Sequence, residues 1–117
     1  MTETTSVLAS GNAISIGPGF GDPIIDHLDI SSVREVRLYL SGSFPQCEMV
    51  DAFVWAESPD GASFVLDHIG LQLVSDVITG CRTESRLYEV VGPSITVQLL
   101  NHDFENGGTA SYMLVGR

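Results

Sequence analysis

Apolar residues in this chain recur at every second position, in short runs closed by turn residues. They do not recur at helical spacing. From Val33 to Gly42, the side chains Val36, Leu38 and Leu40 share one face, and Glu35, Arg37 and Tyr39 share the other. A period of two with one apolar side is the pattern of a half-buried strand. No window of eleven residues sustains a one-sided apolar pattern at i, i+3, i+4 and i+7, so an amphipathic helix has no support.

The same reading continues along the chain. Met49–Glu57 is apolar on both faces, with Val50, Ala52, Val54 and Ala56 alternating against Met49, Asp51, Phe53 and Trp55. A strand dry on both sides is central in its sheet or has one face covered by an assembly partner. By this reading Trp55, sharing a face with Phe53 and Met49, belongs to the core. Ser58-Pro59-Asp60-Gly61 is a turn with a left-handed residue at Gly61, and Ser63–His68 returns antiparallel. Leu71–Ile78 is a further strand, turned by Thr79-Gly80-Cys81. Ser85–Val91 and Ile95–Leu99 alternate again around the Gly92-Pro93 turn. The polar loop 101–108 leads to a last strand, Thr109–Val115, expected to form a hairpin with the one before it. Near the N-terminus, Val7–Ile16 is a strand interrupted at Gly11, and Ile24–Ile30 reads as a strand in preference to a short helix capped at Asp22-Pro23.

About eight strands with turns every eight to twelve residues describe an all-β, antiparallel two-sheet sandwich of jelly-roll type. The 117 residues suffice for one domain and not for two. Residues 1–10 are a candidate N-terminal arm that packs on its own domain or swaps to another.

Charge narrows the function. Fifteen acidic residues face five arginines and no lysine, for a net charge of −10. Phosphate backbones require a basic stripe, so nucleic acid is not an expected partner. Anionic membrane surfaces are disfavoured for the same reason. There is no apolar stretch of about 20 residues to span a bilayer. The start Met1-Thr2-Glu3-Thr4-Thr5-Ser6 lacks a signal-peptide pattern. The chain is therefore expected to be cytoplasmic as synthesised. Cys47 and Cys81 have no metal-binding neighbours in sequence. Their placement does not exclude a bridge, but without an export signal free thiols are the expectation.

Candidate sites are few. Asp22, Asp26 and Asp29, with His27 among them, are the candidate Ca²⁺ ligands, although their spacing matches no EF-hand loop. On a regular strand Asp26 would face away from His27 and Asp29. Asp67-His68 resembles half of a catalytic pair, but no nucleophile motif accompanies it, and adjacent strand residues face opposite ways. His102, Asp103 and Glu105 form a candidate loop-tip contact surface. Tyr39 and Tyr88, flanked by polar residues, are the aromatic pair expected at the surface, where either could stack on a sugar; Tyr112 is a further aromatic. Arg37 and Arg86 are read as partners of surface acids. Gly17-Pro18-Gly19-Phe20-Gly21 is a turn and not a phosphate loop.

The segment Ala56-Glu57-Ser58-Pro59-Asp60-Gly61-Ala62-Ser63-Phe64 resembles a hairpin of galactose-binding-like (discoidin-type) jelly rolls, and Val33–Leu40 is similar to their early core strand. Gly92–Asn101 and the closing Gly116-Arg117 resemble β-sandwich accessory domains of phage virions. These resemblances imply a fold.

The expected function is a non-enzymatic structural or assembly module, such as a capsid-decoration or tail protein of a virion, with a protein partner or self-association. The alternative is a carbohydrate- or ligand-binding module. No catalytic residue and no cofactor is expected.

Overall fold

The computed structural model describes residues 4–74 and 80–117. Two antiparallel sheets pack face to face, as the alternation predicts. The first runs β1 (Ser6–Ile16), β11 (Gly108–Gly116), β4 (Glu35–Ser43), β8 (Gly80–Arg82) and β7 (Gln72–Leu73), with β9 (Arg86–Glu89) also on β4. The second runs β2 (Gly19–Phe20), β10 (Ser94–Asn101), β5 (Val50–Glu57) and β6 (Ser63–Gly70), with β3 (Ile25–Asp29) also on β10.

The core follows directly from the period of two. Val36, Leu38 and Leu40 of β4 and Ala110 and Leu114 of β11 line the inner face of the first sheet. Val50, Ala52 and Val54 of β5 and Ile95, Val97 and Leu99 of β10 meet them from the second. Leu38 and Leu114 are cross-strand neighbours and are fully excluded from solvent, so their contacts are those of a close-packed interior.

The turn expected at Ser58–Gly61 forms. Gly61 has φ of +91°, which glycine tolerates without steric cost. The Asp60 carboxylate accepts from the Ser58 hydroxyl and the Ala62 N–H, and these bonds hold its pKa below the usual carboxylate value. Gly92 has a different reason to be glycine: a Cβ there would lie 1.5 Å from the Glu57 carbonyl oxygen.

Several expectations are corrected. Eleven strands occur among the described residues, because short pairings such as β2 and β7 are too brief to show a period. Of the strand expected over Leu71–Ile78, Gln72–Leu73 is extended, and positions 75–79 lie outside the described residues. Gly80 and Cys81 belong to β8 and not to a turn. The last strand forms no hairpin with its predecessor: β10 pairs with β5 in one sheet, whereas β11 pairs with β1 and β4 in the other. The loop between them crosses the sandwich.

The cysteines are bridged, Cys47 to Cys81, with Cα atoms 5.6 Å apart. Cys47 stands in a 3-10 turn (Cys47–Met49) leading into β5, and Cys81 lies on β8 beside Gly42. The bond therefore joins the two sheets. The expectation of free thiols rested on compartment alone, and the geometry overrides it.

Residues Ser6–Ser10 pair with β11 of the same chain, from Ser6 opposite Gly116 to Ser10 opposite Met113. No helix is long and apolar enough to cross a membrane among the described residues.

Candidate functional site: an open sheet edge and two outer faces

β6 is the edge of the second sheet, so one side of its backbone has no strand beside it among the described residues. Its first half carries Phe64, Val65 and Leu66 in succession, exposed at 58%, 49% and 38%. A register shift against β5 falls here, between Val54 and Trp55. The extra residue is Leu66, and the bulge breaks the alternation. Beyond it, Asp67 points inward and accepts from the Tyr88 hydroxyl at 2.7 Å. Natural edges are blunted by charge, proline or a bulge. Asp67 and His68 blunt the second half of β6; the first half carries neither charge nor proline, and the bulge lies at its far end, at Leu66. Val91 extends the patch across the open side of the sandwich, in a shallow cleft with Phe64, Val65 and Leu66.

Behind this edge, the outer face of the second sheet is aromatic. Phe53 stacks on His68, with ring centres 4.5 Å apart and planes at 6°, and also meets Phe20 and Trp55. Trp55 is thus half-buried on the outer face, correcting its expected place in the core. The dry outer side of β5 is covered by neighbours on its own sheet. Asp51 on the same strand receives two imidazoles: its Oδ2 lies 3.1 Å from His102 Nε2 and 3.3 Å from His68 Nε2. These groups are partly exposed, so the pairs contribute little to stability.

The other sequence candidates separate. Tyr88 is buried, at 8% exposure, correcting the expectation of an exposed pair; Tyr39 is exposed and Tyr112 packs against the core. Burial and the bond to Asp67 raise the Tyr88 pKa above its ordinary value of 10.0. A phenol that ionises later in the fold than in the open chain gives stability that is complete below pH 10 and is lost as pH rises through the raised folded value. Stability should therefore fall on titration above pH 10, and Tyr88→Phe should flatten that fall. The same variant should cost about 1–2 kcal/mol at pH 7, by removing the donor to Asp67. Denaturant titrations of both proteins at pH 7 and pH 11 check this.

Asp103 is buried and shapes its own loop. Its Oδ1 accepts from the backbone N–H groups of Glu105 and Asn106, and its own N–H donates to Asn101 Oδ1. His102 and Glu105 remain exposed. Asp26 and His27 are hydrogen-bonded neighbours at 2.6 Å, correcting their expected opposite orientation. The cause is a bulge in β3: the register skips Thr96, and His27, at φ of +47°, donates its N–H to Thr96 Oγ1. Asp29 bonds Ser31 instead, which holds its pKa below the usual value. No group of three metal-ligating side chains close enough to hold an ion occurs among the described residues. Arg37 donates to Ser85 Oγ, not to a surface acid.

The residues that stand out are therefore those of a β-sandwich with an unprotected apolar edge. No family model and no curated protein matches the chain. Among solved structures, it is similar to the crystal structure of SPBc2 prophage-derived protein YomS. The TM-score is 0.49 and the identity 11%, over 99% of this chain and 98% of that chain. No functional statement follows from that similarity.

Proposed function

We propose that the chain is a non-enzymatic assembly module whose β6 edge pairs with the β6 edge of a second copy. The observation that carries this reading is the exposed apolar run Phe64–Val65–Leu66 on a strand with an open side. Exposed, flat, apolar edges are templates for strand addition.

A second copy suits this edge because the run is self-complementary. Antiparallel pairing about a two-fold axis at Val65 sets Phe64 opposite Leu66 of the other copy and Asp67 opposite Ser63. Like charges do not meet. The contact joins two second sheets into one continuous sheet with isologous symmetry. Its area falls at the low end for specific interfaces, so the dimer is weak and concentration-dependent. The net charge of −10 on each copy opposes it at low ionic strength. Salt screens that repulsion, with a Debye length falling from about 30 Å at 0.01 M to about 3 Å at 1 M. Weak edge contacts gain strength when copies are held side by side on a larger particle. A capsid- or tail-associated component is the setting we propose.

Analytical ultracentrifugation at up to about 1 mM protein tests the reading. The expected result is a monomer–dimer equilibrium that shifts to dimer as NaCl is raised. Val65→Lys places two cations across the axis and should return the protein to monomer with its fold intact, because Val65 is half exposed. A wild-type protein that stays monomeric at high salt contradicts the proposal. So does a dimer indifferent to Val65→Lys.

A further inference from the structure

On the far side of the sandwich, the first sheet carries a groove that the edge pairing leaves untouched. Two irregularities raise its walls. On one side β1 bulges between Gly11 and Ile14. Ala13 there has φ of +51°, its N–H donates to Ser111 Oγ, and Ser111 Oγ donates to Asn12 Oδ1. On the other side, β8 pairs with Ser41–Ser43 of β4 and β9 pairs with Glu35–Leu38. The chain between them rises past Tyr39 and Leu40, tied at one point by the Thr83 N–H to the Leu40 carbonyl at 3.0 Å. Tyr39 and Met113, cross-strand neighbours, lie between the walls.

The lining is unusual for this protein. Among the described residues no aspartate or glutamate borders the groove, in a chain with fifteen of them. Its polar side chains include those of Ser10, Asn12, Ser41, Arg82, Thr83 and Ser111, beside the exposed Tyr39 ring. Neither the Tyr39 hydroxyl nor the Arg82 guanidinium has a hydrogen-bond or ionic partner among the described residues. An aromatic face with hydroxyl, amide and guanidinium groups around it fits a ring that offers both C–H faces and hydroxyl groups. At the ~4.8 Å spacing of strands, the span from β1 across β11 and β4 to the β8–β9 connection is about 14 Å, room for a short chain of such rings.

We infer that this groove binds a neutral oligosaccharide, with a sugar ring on Tyr39 and Arg82 donating to its hydroxyls. The site is independent of the β6 edge, so the Val65→Lys monomer should bind equally well.

The test is an amide-resolved NMR titration of the full chain with neutral hexasaccharides of gluco, manno, galacto and xylo configuration. At least one should move the amides of Ser41, Arg82, Ser111 and Met113 with saturation. Tyr39→Ala should weaken that binding by about tenfold. Spectral dispersion reports whether the variant is folded, and Tyr39→Phe, which keeps the ring, should retain most of the affinity. Absence of shifts with all four sugars overturns the inference. Shifts centred on the Phe53 face, or affinity unchanged in Tyr39→Ala, overturn it equally.

Discussion

Breaking the Cys47–Cys81 bond should lower the unfolding free energy by about 4 kcal/mol and the melting midpoint by about 15 °C. The bond closes a loop with a sequence separation of 34. On the chain-entropy account, a loop of that size removes about 4 kcal/mol of freedom from the unfolded ensemble. With about 2.1 cal/mol/K of unfolding entropy per residue, a chain of this length converts that loss into about 15 °C. Both cysteines are buried, and their bond ties the entry of β5 to β8, so they hold one sheet against the other. Calorimetry of the Cys47→Ala/Cys81→Ala protein beside the oxidised wild type measures the difference. A shift of only two or three degrees would mean that packing alone holds the sheets together.

Leu38→Ala should be the most damaging single truncation in the core, at about 3 kcal/mol within the usual range of about 2–5 for buried leucines. Leu38 lies in the middle of β4, which pairs with β11 on one side and with β8 and β9 at its two ends on the other. Its inward neighbour Leu114 is equally buried, and neither strand can close the cavity without giving up register. Because the two side chains are neighbours, the double variant with Leu114→Ala should cost less than the sum of the singles. Urea titration of the three variants checks both the size and the non-additivity. A loss under 1 kcal/mol for Leu38→Ala would contradict the packing described.

What the sequence made legible was whatever repeats at period two. Val36, Leu38 and Leu40, or Ile95, Val97 and Leu99, identify their faces because one side of each strand must be dry. Bulges defeat that logic, since a single extra residue reverses every later side chain. His27 in β3 and Leu66 in β6 are such residues. Tyr88 was misplaced because its polar neighbours suggested an outward face, whereas Asp67 supplies its hydroxyl with a partner inside. The connection from β10 to β11 looked like a hairpin in sequence. Its crossing between sheets depends on Asn101 and Asp103, whose bonds fold the loop locally. The bridge was invisible because the chain does not record which loops the fold brings together.

The candidate site was legible in one respect that the alternation rule passed over. Phe64-Val65-Leu66 is three apolar residues in succession directly after a turn, and a half-buried strand should not contain that run. Tyr39 itself was legible as an exposed aromatic, but the groove around it was not, because it arises where two strand irregularities face each other across residues far apart in the chain.

The central claim is that the first half of β6 is a pairing edge. Hydrogen exchange along the chain, followed from low micromolar to about 1 mM protein in 0.5 M NaCl, tests it most directly. The account predicts that protection rises with concentration at the amides of Ser63–Asp67 and changes little on the first sheet. Exchange independent of concentration, or protection centred on the Tyr39–Met113 face, would contradict it.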